Sequence, residues 1–274
     1  MNRPAFASPL PGSLLAIAIT IAFGACGNDD NREPATVTVP TTEGASTTEV
    51  PRAAVPSASA RRNSPSPKLS LEHPADGYPM IWVRGGREVE IRTEPGGGEL
   101  VERVGRRTEF ESPSVFGVIE KRGNWAGVPY PKLANDELGW IELDPKRLKS
   151  GWTRVSIAVD ISERRAELRE GPRVVRSFAV TVGAPETETP TGRFAVTDTF
   201  RGDLADAYGC CALALSANQP NLPSGWFGGN RIAIHGTSGA LGVAESSGCV
   251  RAADADVSKL VDRVPLGTPV FIRA

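Results

Sequence analysis

The 274-residue sequence predicts a mainly β protein with one late helix, built as two folded parts behind an unfolded N-terminal segment. Three observations carry this. Beyond residue 76 the chain is mostly short runs with apolar side chains at every second position, the period of a strand with one buried face. Turn signals rich in Gly and Pro cut these runs, in keeping with 29 glycines and 23 prolines. Only one segment, Ala253–Val264, has a helical period, with Val257, Leu260, Val261 and Val264 on one face.

The elements follow in order. Arg3 precedes a ten-residue apolar stretch, Leu14 to Phe23, too short to span a bilayer and suited to the apolar region of an export signal. Gly24 and Ala25 then lead to Cys26. This resembles a bacterial lipoprotein signal (residues 1–26), which implies that Cys26 becomes the lipidated first residue. Phe23 stands where that pattern usually has leucine, and an ordinary secretory signal is the alternative. Either reading exports the rest. Residues 27–76 are rich in Pro, Thr, Ser and Ala and have almost no aromatics, so they cannot bury enough apolar surface to offset chain entropy. A flexible tether of that length reaches roughly 40 Å. His73 near its end is expected to be an exposed linker residue.

Residues 77–149 contain "MIWVRG", "EVEIRTEP", "FGVIEKRGNWAGV" and "ELGWIEL", with turns at "PGGG" and "RGN". About five short strands in some 70 residues suggest a small barrel. The pattern "GNWAGVPYP…ELGWIELD" is similar to bacterial SH3-like domains, which bind wall material or pack on a neighbouring enzyme. Trp125 and Trp140 are expected to be core residues. From residue 150 the strands continue: two or three between Thr153 and Gly183, then "GRFAVTDTF", "RIAIHG", and, after the helix, "GTPVFIRA".

Chemistry has few candidates. A net charge of −1 gives no electrostatic footprint for nucleic acid. There are two histidines, His73 and His235, and four cysteines, Cys26, Cys210, Cys211 and Cys249. If Cys26 is lipidated, an odd number of cysteines remains in an oxidising compartment and leaves at least one free thiol or an intermolecular bond. Cys210 and Cys211 are neighbours, with Cα atoms about 3.80 Å apart, below the usual disulfide range, so a bridge between them would be strained. One or both are expected instead to pack as small residues under the active-site loop. Cys249 lies fourteen residues after His235, at the end of a Gly-rich loop. A thiol placed just before a helix has its anion favoured by the helix dipole. An imidazole within reach activates it further, and Gly248 lets loop amides approach an oxyanion. The residues alone permit a Cys–His acyl-transfer pair, while a buried inert cysteine is the bland alternative.

"IAIHGTSGALGVAESSGCVRAADADVSKLVDRVPLGTPVFI", with "VTVGAPETETPTGRFAV" upstream, resembles the L,D-transpeptidase (YkuD-type) catalytic domain over roughly Thr153 to Ile272. The resemblance implies a β-sandwich catalytic domain over 150–274. In it Cys249 is the nucleophile, His235 the general base and acid, and Gly236 supplies the carbonyl that orients the imidazole. Thr237, Ser246, Ser247, Gly248 and Arg251 take substrate-binding or loop-shaping places. Arg251 either pairs with a substrate carboxylate or braces the loop. Many members carry histidine where this chain has Ser247, so no second imidazole is expected. The implied activity is peptidoglycan 3→3 cross-linking through a cysteine thioester at the outer face of a bacterial membrane. No metal or organic cofactor is implied, and acylation by carbapenems is. Transfer to water, a protein or a D-amino acid would use the same residues. A non-catalytic wall-binding lipoprotein is the reading from another class.

Overall fold

The computed structural model describes residues 69–202, 204–222 and 229–274, all within one compact unit. The sequence-level expectations for residues 1–68, including the signal, Cys26 and most of the tether, lie outside the described residues.

The first part has eight strands where about five were expected: β1 (Tyr78–Val83), β2 (Val89–Arg92), β3 (Leu100–Val104), β4 (Val115–Gly117), β5 (Glu120–Arg122), β6 (Trp125–Pro129), β7 (Leu138–Glu142) and β8 (Leu148–Thr153). They form a five-stranded sheet, β3-β2-β7-β6-β5, and a three-stranded sheet, β4-β1-β8, with every pairing antiparallel. Alternation sets their faces. In β2, Val89 and Ile91 are buried while Glu90 and Arg92 meet on the outer face at hydrogen-bond distance. Ile81, Ile91, Ile141, Leu143 and Leu148 fill a core of their own. Trp140 is buried, as expected, but Trp125 is only partly covered. The extra strands are β3, an edge strand in which only Val104 is buried, and β8. β8 crosses the expected boundary at residue 150 and pairs with β1 as far as Thr153.

The second part contains β9 (Val155–Asp160), β10 (Arg165–Glu170), β11 (Arg173–Ala179), β12 (Val182–Gly183), β13 (Gly192–Arg201), β14 (Cys211–Asn218), β15 (Arg231–Thr237), β16 (Ala244–Ser246), β17 (Val250–Ala253), α1 (Asp254–Arg263) and β18 (Pro269–Arg273). Eight strands form one sheet in the order β11-β10-β9-β18-β13-β14-β15-β17. Its inner face, from Ile157 through Leu213 and Ile234 to Ile272, buries α1 through Val257, Leu260 and Val261. The helix lies within one residue of the segment that the sequence predicts. It is the link from β17 to β18, and its apolar stripe covers the half of the sheet that carries the site. Two short parallel strands, β12 and β16, tie the segment before β13 to the loop between β15 and β17.

Candidate active site

Strand pairing brings the thiol and the imidazole together. β15 and β17 run parallel, with Ile234 opposite Val250 and His235 opposite Arg251. Side chains alternate along a strand, so Ile232, Ile234, Val250 and Ala252 enter the core. Ala233, His235 and Arg251 share the other face, and Cys249, two residues before Arg251, joins them. His235, Ser247, Cys249 and Arg251 line one cavity of about 280 Å³, together with Tyr208 and Gln219. The Tyr208 and His235 rings meet edge to face, at a centroid separation of 5.0 Å and an interplanar angle of 62°.

His235 is 4% exposed. Its Nδ1 lies 2.8 Å from the Gly236 carbonyl. A carbonyl only accepts, so Nδ1 carries the proton and Nε2 keeps its lone pair. Burial pushes the imidazole below its ordinary pKa, the Gly236 carbonyl partly opposes this, and the Arg251 charge adds to it. Burial likewise pushes the Cys249 thiol up, against the Ala233 N–H and the Arg251 charge, which pull it down. That N–H donates to Cys249 Sγ at 3.4 Å, and the thiol faces the Arg231 carbonyl at 4.0 Å. At neutral pH the resting pair is therefore thiol and neutral imidazole, not thiolate and imidazolium.

This corrects one expectation. α1 begins at Asp254, and all of β17 separates it from Cys249. The helix dipole acts over about one turn and does not favour the anion there.

Two glycines are required by close approach. A Cβ at Gly236 would collide with the Asp254 carboxylate, which accepts the Cys210 N–H at 3.2 Å. Gly248 has φ +109°, and a Cβ there would collide with Gln219 Nε2. Gly248→Ala is thus expected to destabilise the fold by about 1–3 kcal/mol through backbone strain, with further loss from the displaced amide. Denaturant unfolding beside the wild type measures it, and an unchanged midpoint would remove the close-approach argument.

The remaining expected site residues divide. Ser247 and Arg251 line the cavity, whereas Ser246, Gly248 and Thr237 do not. Ser246 is buried, its hydroxyl donating to the Cys249 carbonyl at 2.6 Å and accepting the Gly248 N–H at 3.1 Å. Thr237 Oγ1 accepts the Gly239 N–H at 3.0 Å, in the turn beyond β15. Arg251 binds through its backbone to Thr181 in both directions at 2.8 Å, and its guanidinium lies 3.9 Å from Glu245. His73 is exposed and far along the chain from the site, so His235 is the imidazole of this cavity.

Cys210 and Cys211 form a disulfide between chain neighbours, against expectation. The Cα separation of 3.8 Å that argued against it is accommodated at the start of β14, where Cys211 enters the core and Cys210 sits at the rim beside Asp254. Tyr208 and Gln219 were not singled out by the sequence. A tyrosine in a loop and a glutamine after a strand carry no pattern.

A larger cavity of about 470 Å³ lies elsewhere, walled by Tyr130, Phe116 and Asp198. Arg231 belongs to both cavities. The guanidinium bonds Glu109 at 2.7 Å and the Leu215 carbonyl at 3.0 Å, and the buried Asp198 at 3.4 Å. Asp198 also accepts the Thr108 hydroxyl. Through these contacts the loop between β3 and β4 holds the start of β15.

Cys249, one residue before β17, and His235 in the neighbouring β15 thus line one cavity of a mainly β domain. Residues 154–272 match the family model described as the L,D-transpeptidase catalytic domain, YkuD. Two curated relatives are named "Putative L,D-transpeptidase YkuD", from Bacillus licheniformis and Bacillus subtilis. Each is 33% identical, over 125 and 118 residues, matching 42% of this chain and 64% of the relative. The chain thus spans just under two thirds of the length of the curated relatives it matches. Among solved structures, L,D-transpeptidase 3 from Mycobacterium tuberculosis is similar at a TM-score of 0.37 and 16% identity, over 52% of this chain and 76% of that one.

Proposed function

We propose that this protein is a peptidoglycan L,D-transpeptidase that forms 3→3 cross-links through a thioester on Cys249. The observation that carries the reading is the shared cavity of a free thiol and a neutral imidazole whose tautomer leaves Nε2 unprotonated. As a stem tetrapeptide enters, Cys249 Sγ attacks the carbonyl of the L-centre of diaminopimelate, and its proton passes to His235 Nε2. The tetrahedral oxyanion collapses and breaks the peptide bond to the terminal D-alanine, whose nitrogen takes that proton. The side-chain amine of a second stem then attacks the thioester and gives a proton to Nε2. Collapse forms the new amide and returns the proton to the departing thiolate. Arg251, beside both groups, is placed to meet a substrate carboxylate. On the same reading, carbapenems acylate Cys249.

By the same reading the protein acts at the outer face of a bacterial membrane, anchored through Cys26. Residues 77–149, as an SH3-like part, brace the catalytic half. The reciprocal amide bonds of Asn135 and Asn218, at 2.7 and 2.8 Å, support this second role.

The test is product analysis of the purified protein on disaccharide-tetrapeptide by liquid chromatography and mass spectrometry. The expected result is D-alanine release matched by cross-linked dimer. Tripeptide without dimer would make water the acceptor, and no D-alanine release would overturn the proposal.

A further inference from the structure

The loop that carries Cys249 is held by its carbonyls. The Ser246 carbonyl accepts Thr187 Oγ1 at 2.8 Å and the Ala184 N–H at 2.9 Å. The Gly248 carbonyl accepts Thr189 Oγ1 at 2.8 Å. Between them, the Ser247 carbonyl accepts Gln219 Nε2 at 3.2 Å. Gln219 is 3% exposed and comes from the end of β14, on a different segment from the two threonines. Its Nε2 also faces the carbonyls of Thr187 at 3.0 Å and Glu188 at 3.1 Å. Its Oε1 accepts the Asn221 N–H at 3.0 Å, which fixes which end of the amide is the donor.

In a trans peptide the carbonyl and the next N–H point in opposite directions. Carbonyls 246 and 248 are drawn inward, so the N–H groups of Ser247 and Cys249 turn away from Thr187 and Thr189. Both residues line the cavity. The peptide between them is held at its N–H by Ser246 Oγ at 3.1 Å and at its carbonyl by Gln219. Gly248, with φ +109°, is the residue at which that peptide rotates most easily. A rotated Ser247 carbonyl would put a partial negative charge beside the thiol, where an oxyanion has to form.

We infer that Gln219 is a positioning residue for acyl transfer: its buried amide pins the Ser247 carbonyl away from the cavity and keeps the loop's N–H groups free for the oxyanion. The inference rests on the proposed acyl-transfer function.

Two reactions of Cys249 separate this role from simple support of the fold. Iodoacetamide alkylates the thiolate by displacing iodide at a saturated carbon, with no oxyanion. A carbapenem acylates it through a tetrahedral oxyanion. Gln219→Glu keeps the volume and the acceptor for Asn221 but removes the donor, and Gln219→Met removes both. In each, carbapenem acylation is expected to slow by about 10²-fold, as for loss of an oxyanion donor, while alkylation stays within about twofold. Circular dichroism and melting accompany both variants, and either one that folds decides the matter. Parallel loss of both rates, loss of fold in both variants, or acylation at the wild-type rate would overturn the inference. A wild type that is alkylated but never acylated would instead overturn the proposed function, and the inference with it.

Discussion

Cys249→Ala is expected to lower cross-linking by at least about 10⁴-fold and to leave no carbapenem adduct in the intact-protein mass spectrum. The size follows from what is removed. Without the thiol there is no covalent intermediate, and an imidazole alone cannot direct a water or amine onto an unactivated peptide bond at a comparable rate. The assignment is also clean. Cys210 and Cys211 are joined to each other, so Cys249 is the free thiol among the described residues. Among the described residues an adduct therefore maps to Cys249. An adduct of equal yield on Cys249→Ala would sink the nucleophile assignment. Retained cross-linking without an adduct would sink the thioester route.

Much of the fold could be read because burial is one-sided. In β2 and β9, alternate apolar positions mark the strands, and in α1 a single apolar stripe marks the helix. β3 and β8 escaped because neither shows that contrast. "LVERV" lies at a sheet edge with one buried residue, and "LKSGWT" pairs along its length while mixing Lys, Ser and Gly. At the site, "IHG" and "SGCVR" marked the two candidate residues, but the cause of their sharing a cavity was hidden. It is the parallel pairing of β15 with β17, a strand of four residues too short to show an alternation. Gln219 was hidden for a different reason: its partners are backbone carbonyls, which leave no trace in residue types.

His235→Ala is expected to reduce acylation at neutral pH by about 10²–10⁴-fold, the usual contribution of a positioned general base. The pH profile separates a base from a merely structural histidine. His235 is held below its ordinary value of 6.5 and Cys249 above its ordinary value of 9.0, both chiefly by burial. In the wild type, protonation removes the base, so activity falls on an acid limb whose midpoint lies below 6.5. The same displacement acts on stability. The unfolded chain takes up a proton at His235 before the native state does, so native stability is complete above 6.5 and declines as pH falls through the native pKa. In His235→Ala the acid limb moves up to the thiol's own pKa. The defect then shrinks as pH rises toward the thiol's own pKa, because hydroxide makes the thiolate without an imidazole. Acylation rates of both proteins from acid to alkaline pH provide the measurement. A wild-type to variant ratio that stays constant across that range would mean that His235 shapes the cavity and takes no proton.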